Sequence, residues 1–105
     1  MIRIRPKYKL VISYDIRQEA QETYYRFVTT EFVPGLRDLG IYMIDVHQTI
    51  WGDYPLRVAE FVAESLAVIQ NGLKTEKYIF LEERFLDNTI NFRKKLIPYQ
   101  DGFLM

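Results

Sequence analysis

Residues 41–63 read IYMIDVHQTIWGDYPLRVAEFVA. Two β-rich runs, 41–51 and 56–63, flank the turn-forming stretch Gly52-Asp53-Tyr54-Pro55. Such a pattern predicts an antiparallel hairpin with a loop of about four residues. It holds the only histidine, His47, and the only tryptophan, Trp51, of the chain. If Trp51 pairs with Leu56, Thr49 faces Val58, His47 faces Glu60 and Asp45 faces Val62. Directly opposed side chains start about 4.5–5.5 Å apart at Cβ. His47 would then have Glu60 as an orienting carboxylate, with Asp45 and Trp51 on the same face. A slip of one residue would set Glu60 opposite Gln48 and separate the pair.

Working outward, residues 7–15, KYKLVISYD, alternate with a period of two. Tyr8, Leu10, Ile12 and Tyr14 point one way, and Lys9, Val11, Ser13 and Asp15 the other, so this is a strand. Asp15 with Gln18 suggests a capping box at the next helix. Ala20, Tyr24, Phe27, Val28 and Phe32 form a helical stripe over 18–32. Pro34 disfavours helical geometry at Val33 and opens a second short helical turn, which Gly40 stops. Beyond the hairpin, Ser65 or Glu64 begins a helix that Asn71-Gly72 interrupts, and Thr75 caps another. Residues 88–97 fit either a continuing helix or a strand. The strand is preferred because it completes the sheet. Pro98 to Met105 form a tail.

The order is β-α-β-β-α-β, a ferredoxin-like α+β plan with an antiparallel sheet and helices on one face. One domain spans 1–105. Apolar residues occur on both faces of the strands: Ile12 and Tyr14 against Val11, Met43 and Trp51 against Ile44, Val46 and Ile50. The uncovered face therefore needs a partner, and a second copy of the chain is the simplest one.

LVISYDIR (10–17), RFVTTEFVPGLRDLG (26–40), WGDYP (51–55) and AEFVAESLAVI (59–69), set in that topology, resemble the dimeric α/β-barrel superfamily. That group includes antibiotic-biosynthesis-type monooxygenases, haem-degrading enzymes and NIPSNAP-like proteins. The chain is most similar to small bacterial members of the NIPSNAP type. The resemblance implies a homodimeric barrel with monooxygenase-like relatives. It carries over no catalytic signature, and the Asn, His and Trp set of the haem-degrading relatives has no match in spacing here.

Composition narrows the function further. Fourteen basic and fourteen acidic residues give zero formal charge, which removes the general pull of a nucleic-acid binder. VAEFVAES lacks the opening of an RNP1 motif, which weakens an RNA-binding reading of the fold. Arg3, Arg5, Lys7 and Lys9 are better explained as protection against edge-to-edge aggregation. With no cysteine and one histidine, neither a thiolate nucleophile nor a transition-metal site is expected. An all-oxygen metal site would need carboxylates that the sequence does not visibly cluster. No cofactor motif appears: the five glycines form no phosphate loop. The absence of a signal-peptide pattern or a long apolar run suggests a cytoplasmic protein that does not bind membranes.

Candidate site residues follow by elimination. His47 and Glu60 would serve as a base and its orienting carboxylate. Tyr14, Asp45, Trp51 and Tyr54 would contact a small apolar or aromatic ligand. The chemistry expected is cofactor-independent oxygenase or isomerase activity. The competing reading is a non-catalytic dimeric module in which His47 is a strand residue at the interface and the aromatics pack on the partner. The acidic Glu19, Glu22, Glu82 and Glu83 read as a solvated face. Whether the chain is an enzyme stays open at this stage.

Overall fold

A computed structural model describes residues 4–51 and 54–100, the side chains of 49–51 and 54–56 excepted. Strand β1 (Tyr8–Ile16) leads into a short 3-10 turn, Gln18–Ala20. Helix α1 (Gln21–Phe27) and helix α2 (Val33–Asp38) follow, joined without a break by a π-helical turn, Val28–Phe32. Next come β2 (Tyr42–Trp51), β3 (Tyr54–Ala63), α3 (Leu66–Leu73), α4 (Glu76–Asp87) and β4 (Thr89–Pro98). The four strands form one sheet in the order β2-β3-β1-β4, antiparallel at every junction. This is the ferredoxin-like arrangement, and β4 is the strand that the ambiguous 88–97 segment suggested.

The core lies between the sheet and the helices. Leu10, Ile12 and Tyr14 of β1 and Ala59, Phe61 and Ala63 of β3 meet Tyr24, Phe27, Phe32, Leu36, Ile69, Tyr78, Leu81 and Phe85. Phe85 is the hub: its ring centroid lies 4.6 Å from Phe32, 4.8 Å from Tyr14 and 5.5 Å from Phe92. Edge-on and tilted ring pairs of this kind add about 0.5–1.5 kcal/mol each beyond the area they bury.

Several local expectations change. Pro34 does not bend the chain away from helix, and Val33 keeps helical angles (φ −63°, ψ −48°). The wide π turn just before it moves the carbonyls that the proline ring would otherwise strike, so the helix continues. The Thr29 hydroxyl donates to the Tyr25 carbonyl and the Thr30 hydroxyl to the Arg26 carbonyl, occupying acceptors in this region. No capping box forms at Asp15: β1 runs on to Ile16, and Asp15 Oδ2 accepts a hydrogen bond from Asn91. Asn91 has φ 57°, a left-handed angle that asparagine tolerates, where β4 slips against β1. Asn71-Gly72 does not interrupt α3. Gly72 is buried there, because a Cβ would come within 3.1 Å of Ile41 Cδ1. Ser65 and Thr75 do act as N-caps, accepting from the backbone N–H of Val68 and Tyr78. Gly40 ends α2 at φ +84°.

The hairpin is tighter than the sequence suggested. Tyr54 and Pro55 belong to β3, and Trp51 pairs with Tyr54. Gly52 and Asp53 lie outside the described residues. The pairing expected from a four-residue loop is therefore displaced by two residues: Thr49 faces Leu56 and His47 faces Val58. The same displacement sets Asp45 opposite Glu60, and only beyond it, between Met43 and Asp45, does the register shift, so that Met43 faces Phe61 and Tyr42 faces Val62. A displacement by an even number keeps Asp45, His47 and Glu60 on one face; beyond the bulge Met43, expected on the face of Trp51, instead pairs with the core residue Phe61.

Candidate functional site

On the side of the sheet away from the helices, the pairing sets residues in rows across the strands. One row is Asp45, Glu60, Val11 and Lys95; a second is His47, Val58, Ser13 and Arg93; a third is Tyr42, Val62, Lys9 and Ile97. His47 and Glu60 are therefore diagonal neighbours rather than directly opposed. They still meet: His47 Nδ1 lies 3.8 Å from Glu60 Oε2 and 3.1 Å from Asp45 Oδ2. The alternation of β2 puts Asp45 and His47 on one face two residues apart, and the tighter hairpin, displaced by two residues, brings Glu60 level with Asp45.

Lys9 completes the cluster, its ammonium 2.6 Å from Glu60 Oε1. Glu60 thus bridges a lysine and the imidazole, one through each oxygen. The side chains of Lys9 and Glu60 retain 22% and 19% of their exposure, against 42% for His47 and 57% for Asp45. The Lys9–Glu60 pair is partly desolvated and fixed; the His47–Asp45 pair faces outward. Two carboxylates directly opposed across strands repel. The lysine and the imidazole N–H offset that repulsion. When Nδ1 carries the proton toward Asp45, Nε2 is left as the basic nitrogen of the ring.

Donor atoms of Asp45, His47 and Glu60 all lie within 4.8 Å of one another, a set able to hold a metal ion. The sequence already set Asp45, His47 and Glu60 on one face of the hairpin; that their donor atoms converge this closely depends on the exact register. Lys9 already supplies a counter-charge to Glu60, so these residues form a closed ion network without a metal.

The remaining predicted site residues are not all at this cluster. Tyr14 points to the opposite face. Its hydroxyl pairs with that of Tyr24 in the core, and burial pushes its ionisation upward, reinforced by the neighbouring phenol. It cannot contact a ligand held by His47. Trp51 and Tyr54 pair by backbone at the far end of the hairpin, and their side chains lie outside the described residues.

The helix side has a separate cleft of about 210 Å³, lined by Tyr14, Asp15, Ile16, Gln21, Gln48 and Arg57. Arg57 is held there by a 2.9 Å hydrogen bond to the Tyr25 hydroxyl, with its guanidinium 5.6 Å from that ring's centroid. Sequence reading did not single out Arg57, and it gave Lys9 a role against edge-to-edge aggregation, whereas β1 is an interior strand and Lys9 pairs with Glu60. The alternation of β1 already placed Lys9 opposite Tyr14 in facing, but its partner depended on the register of β3. Glu82, expected on a solvated face, is half-buried: it accepts from the Tyr78 hydroxyl and from Lys94. Burial first, and this bond second, push the ionisation of Tyr78 upward.

No family profile and no curated protein matches the sequence. Solved structures do match the fold. A NIPSNAP family protein of unknown function from Agrobacterium tumefaciens superposes with a TM-score of 0.65 at 11% identity, covering 97% of each chain. A NIPSNAP-like domain protein from Burkholderia xenovorans gives 0.65 at 13% identity, over 94% of this chain and 89% of that one. A putative antibiotic biosynthesis monooxygenase from Nitrosomonas europaea gives 0.61 at 12% identity, over 91% and 99%. The chain shares the fold of these proteins along nearly its whole length, as its sequence resemblance implied. Among the described residues no helix is long and apolar enough to cross a membrane.

Proposed function

We propose that the chain acts as a homodimer whose sheets close over the Lys9–Glu60–His47–Asp45 cluster, and that His47 removes a proton from a small apolar or aromatic molecule held there. The cluster carries this reading: an imidazole on a sheet face is held by a carboxylate on each side, one of them anchored by a lysine. Val11, Val58 and Val62 stand in the same rows and give an apolar floor beside it. An imidazole with its Nδ1 proton directed to a carboxylate is oriented to accept a proton at Nε2, and the carboxylates stabilise the imidazolium that forms.

The reaction class is proton transfer at an activated carbon acid or phenol. Returning the proton to a different carbon gives isomerisation. With dioxygen as co-substrate, the carbanion formed at a CH2 group adds O2 to give a peroxide, which loses the carbon's second hydrogen as its O–O bond breaks, leaving a carbonyl and releasing water, so that the substrate carbon supplies all four electrons. Neither outcome requires a bound cofactor. A cytoplasmic setting, with no nucleic-acid or membrane partner, fits the neutral charge.

The test combines native mass spectrometry of the purified protein, for subunit count and co-purified molecules, with deuterium exchange at the α-carbon of a 1,3-diketone. Exchange catalysed by the wild type and lost in His47→Ala supports the reading. Equal exchange by both proteins refutes His47 as the base. A dimer with a filled interior and no exchange leaves the non-catalytic binding module as the function.

A further inference from the structure

Arg57 stands without a counter-ion on the helix-covered side of the sheet. The strand pairing sets Gln48, Arg57 and Tyr14 in one row across β2, β3 and β1. Tyr14 is buried against the helices, so the row faces that side. Arg57 is half-buried there and lines the cleft of about 210 Å³. Among the described residues it forms no ion pair. Its Nη2 donates to the Tyr25 hydroxyl at 2.9 Å, and its guanidinium lies 5.6 Å from the centroid of that ring. Tyr14 and Tyr24 supply no charge either, because their hydroxyls bond to each other. Burial raises the ionisation of both phenols, against the opposing pull of the Arg57 charge, so they stay neutral beside it.

A guanidinium in this position has lost part of its water and gained only a neutral acceptor, so an anion completes it. Its planar fork of N–H donors matches a carboxylate through two parallel bonds. The Tyr25 hydroxyl and ring hold the plane of that fork, which lowers the cost of ordering it on binding. Gln21 of α1 and Gln48 of β2 bring amides that can donate or accept, and Ile16 brings an apolar wall. Asp15 lines the same cleft, its Oδ2 accepting from Asn91. One cation beside one carboxylate suits a ligand with a single negative charge and repels a phosphate dianion. The cleft is smaller than the roughly 300–1,000 Å³ of sites for drug-sized ligands, so its occupant has few heavy atoms.

We propose that this cleft binds a small monocarboxylate, with Arg57 as the anchor of its carboxylate and Gln21 and Gln48 as the polar walls around it. Tyr25 is a positioning residue, which acts by holding the guanidinium. The site lies on the opposite side of the sheet from His47. It needs neither that residue nor a second copy of the chain, so it stands or falls separately from the proton-transfer reading.

Titration of the full chain with benzoate tests it, followed by calorimetry and by the Arg57 side-chain N–H signal in nitrogen–proton NMR spectra. The wild type should bind benzoate with millimolar or better affinity, and the Arg57 signal should move downfield as the charged bond forms. Arg57→Gln should weaken binding by at least about tenfold. Tyr25→Phe keeps the ring, removes the hydroxyl and should weaken binding by about two- to fivefold. Lys77→Gln removes an exposed cation of α4 and should leave binding unchanged. Benzamide, with the same shape and no charge, should bind far more weakly than benzoate, as should inorganic phosphate. No binding of benzoate by the wild type, or equal binding by Arg57→Gln, overturns the site. Phosphate binding as tightly as benzoate overturns the carboxylate class. If Arg57→Gln fails to fold by circular dichroism, the wild-type Arg57 signal and Tyr25→Phe decide: a signal that does not move, or a Tyr25→Phe affinity equal to wild type, overturns the proposal.

Discussion

The two faces of this sheet are built from the same strands and held by different physics. The helix-covered face is a packed aromatic layer: Leu10, Ile12, Tyr14, Phe61 and Phe85 are all within 2% of complete burial. Its few polar groups are paired, Tyr14 with Tyr24 and Tyr78 with Glu82. The open face mixes valines with a network of ions that are half in water. The first face decides whether the chain folds, and its contribution is set by area and packing. The second contributes little to the fold of a single copy and carries the groups able to do chemistry or to choose a partner. The contrast also corrects the sequence expectation of an open side dominated by apolar residues: it is charged and valine-bearing at once.

The largest effect belongs to the closed face. Phe85→Ala removes a ring that touches Tyr14, Tyr24, Phe32 and Phe92. It should cost about 3–5 kcal/mol and lower the melting temperature by more than about 15 °C in calorimetry. A drop of only a few degrees would mean the aromatic layer is not the source of stability.

Next comes base sensitivity, which also belongs to the closed face. Tyr14, Tyr24 and Tyr78 have folded-state ionisations raised above the ordinary tyrosine value, chiefly by burial. An unfolded tyrosine ionises near pH 10. Above that pH the unfolded chain binds fewer protons than the native one, so stability present below it is lost as the pH rises. Urea titrations from pH 8 to 11 should show a decline beginning near pH 10. The decline should be shallower in the Tyr14→Phe, Tyr78→Phe double variant, and an equal slope in both proteins would contradict the assignment.

The open face should respond less. Glu60→Gln breaks a half-buried pair with Lys9 and removes one neighbour of His47. A loss of about 0.5–1 kcal/mol is expected in chemical denaturation at micromolar dilution. Smallest of all, His47→Ala should change monomer stability by no more than about 0.5 kcal/mol. If His47→Ala cost as much as Phe85→Ala under these conditions, the division between the faces would fail. Repeating both measurements at a hundredfold higher concentration sharpens it. Dimer formation would raise the melting temperature with concentration, and open-face variants would gain less of that rise than the wild type.

Much of this was legible beforehand because it depends on local pattern. The alternation of 8–14 assigned Leu10, Ile12 and Tyr14 to a common side, and all three are buried together. The stripe of Tyr24, Phe27 and Phe32 named the facing helix residues. Thr75 marked one helix start and Ser65, weighed beside Glu64, another; both hydroxyls accept a backbone N–H there. The grouping of His47 with Glu60 survived a wrong register because the displacement was by two residues, which preserves facing. Tyr14 was named as a ligand contact alongside His47, yet the two stand on opposite sides of one sheet. Composition marks a tyrosine as useful at a pocket and does not say which side of the layer will hold it.

The sequence by itself determined the order of elements, which residues of β1 share a side, and the hydroxyl that caps α4. These follow from dihedral preferences and from periods of 2 and 3.6, which act over a few residues. Only the tertiary structure decided that Asp45 stands level with Glu60, that Lys9 anchors Glu60, and that Pro34 rides through a helix on a π turn. The first two turn on the register of a ladder, and the third on one widened helical turn. Such a shift barely alters local energies, and is selected by the fit of segments far apart in the chain.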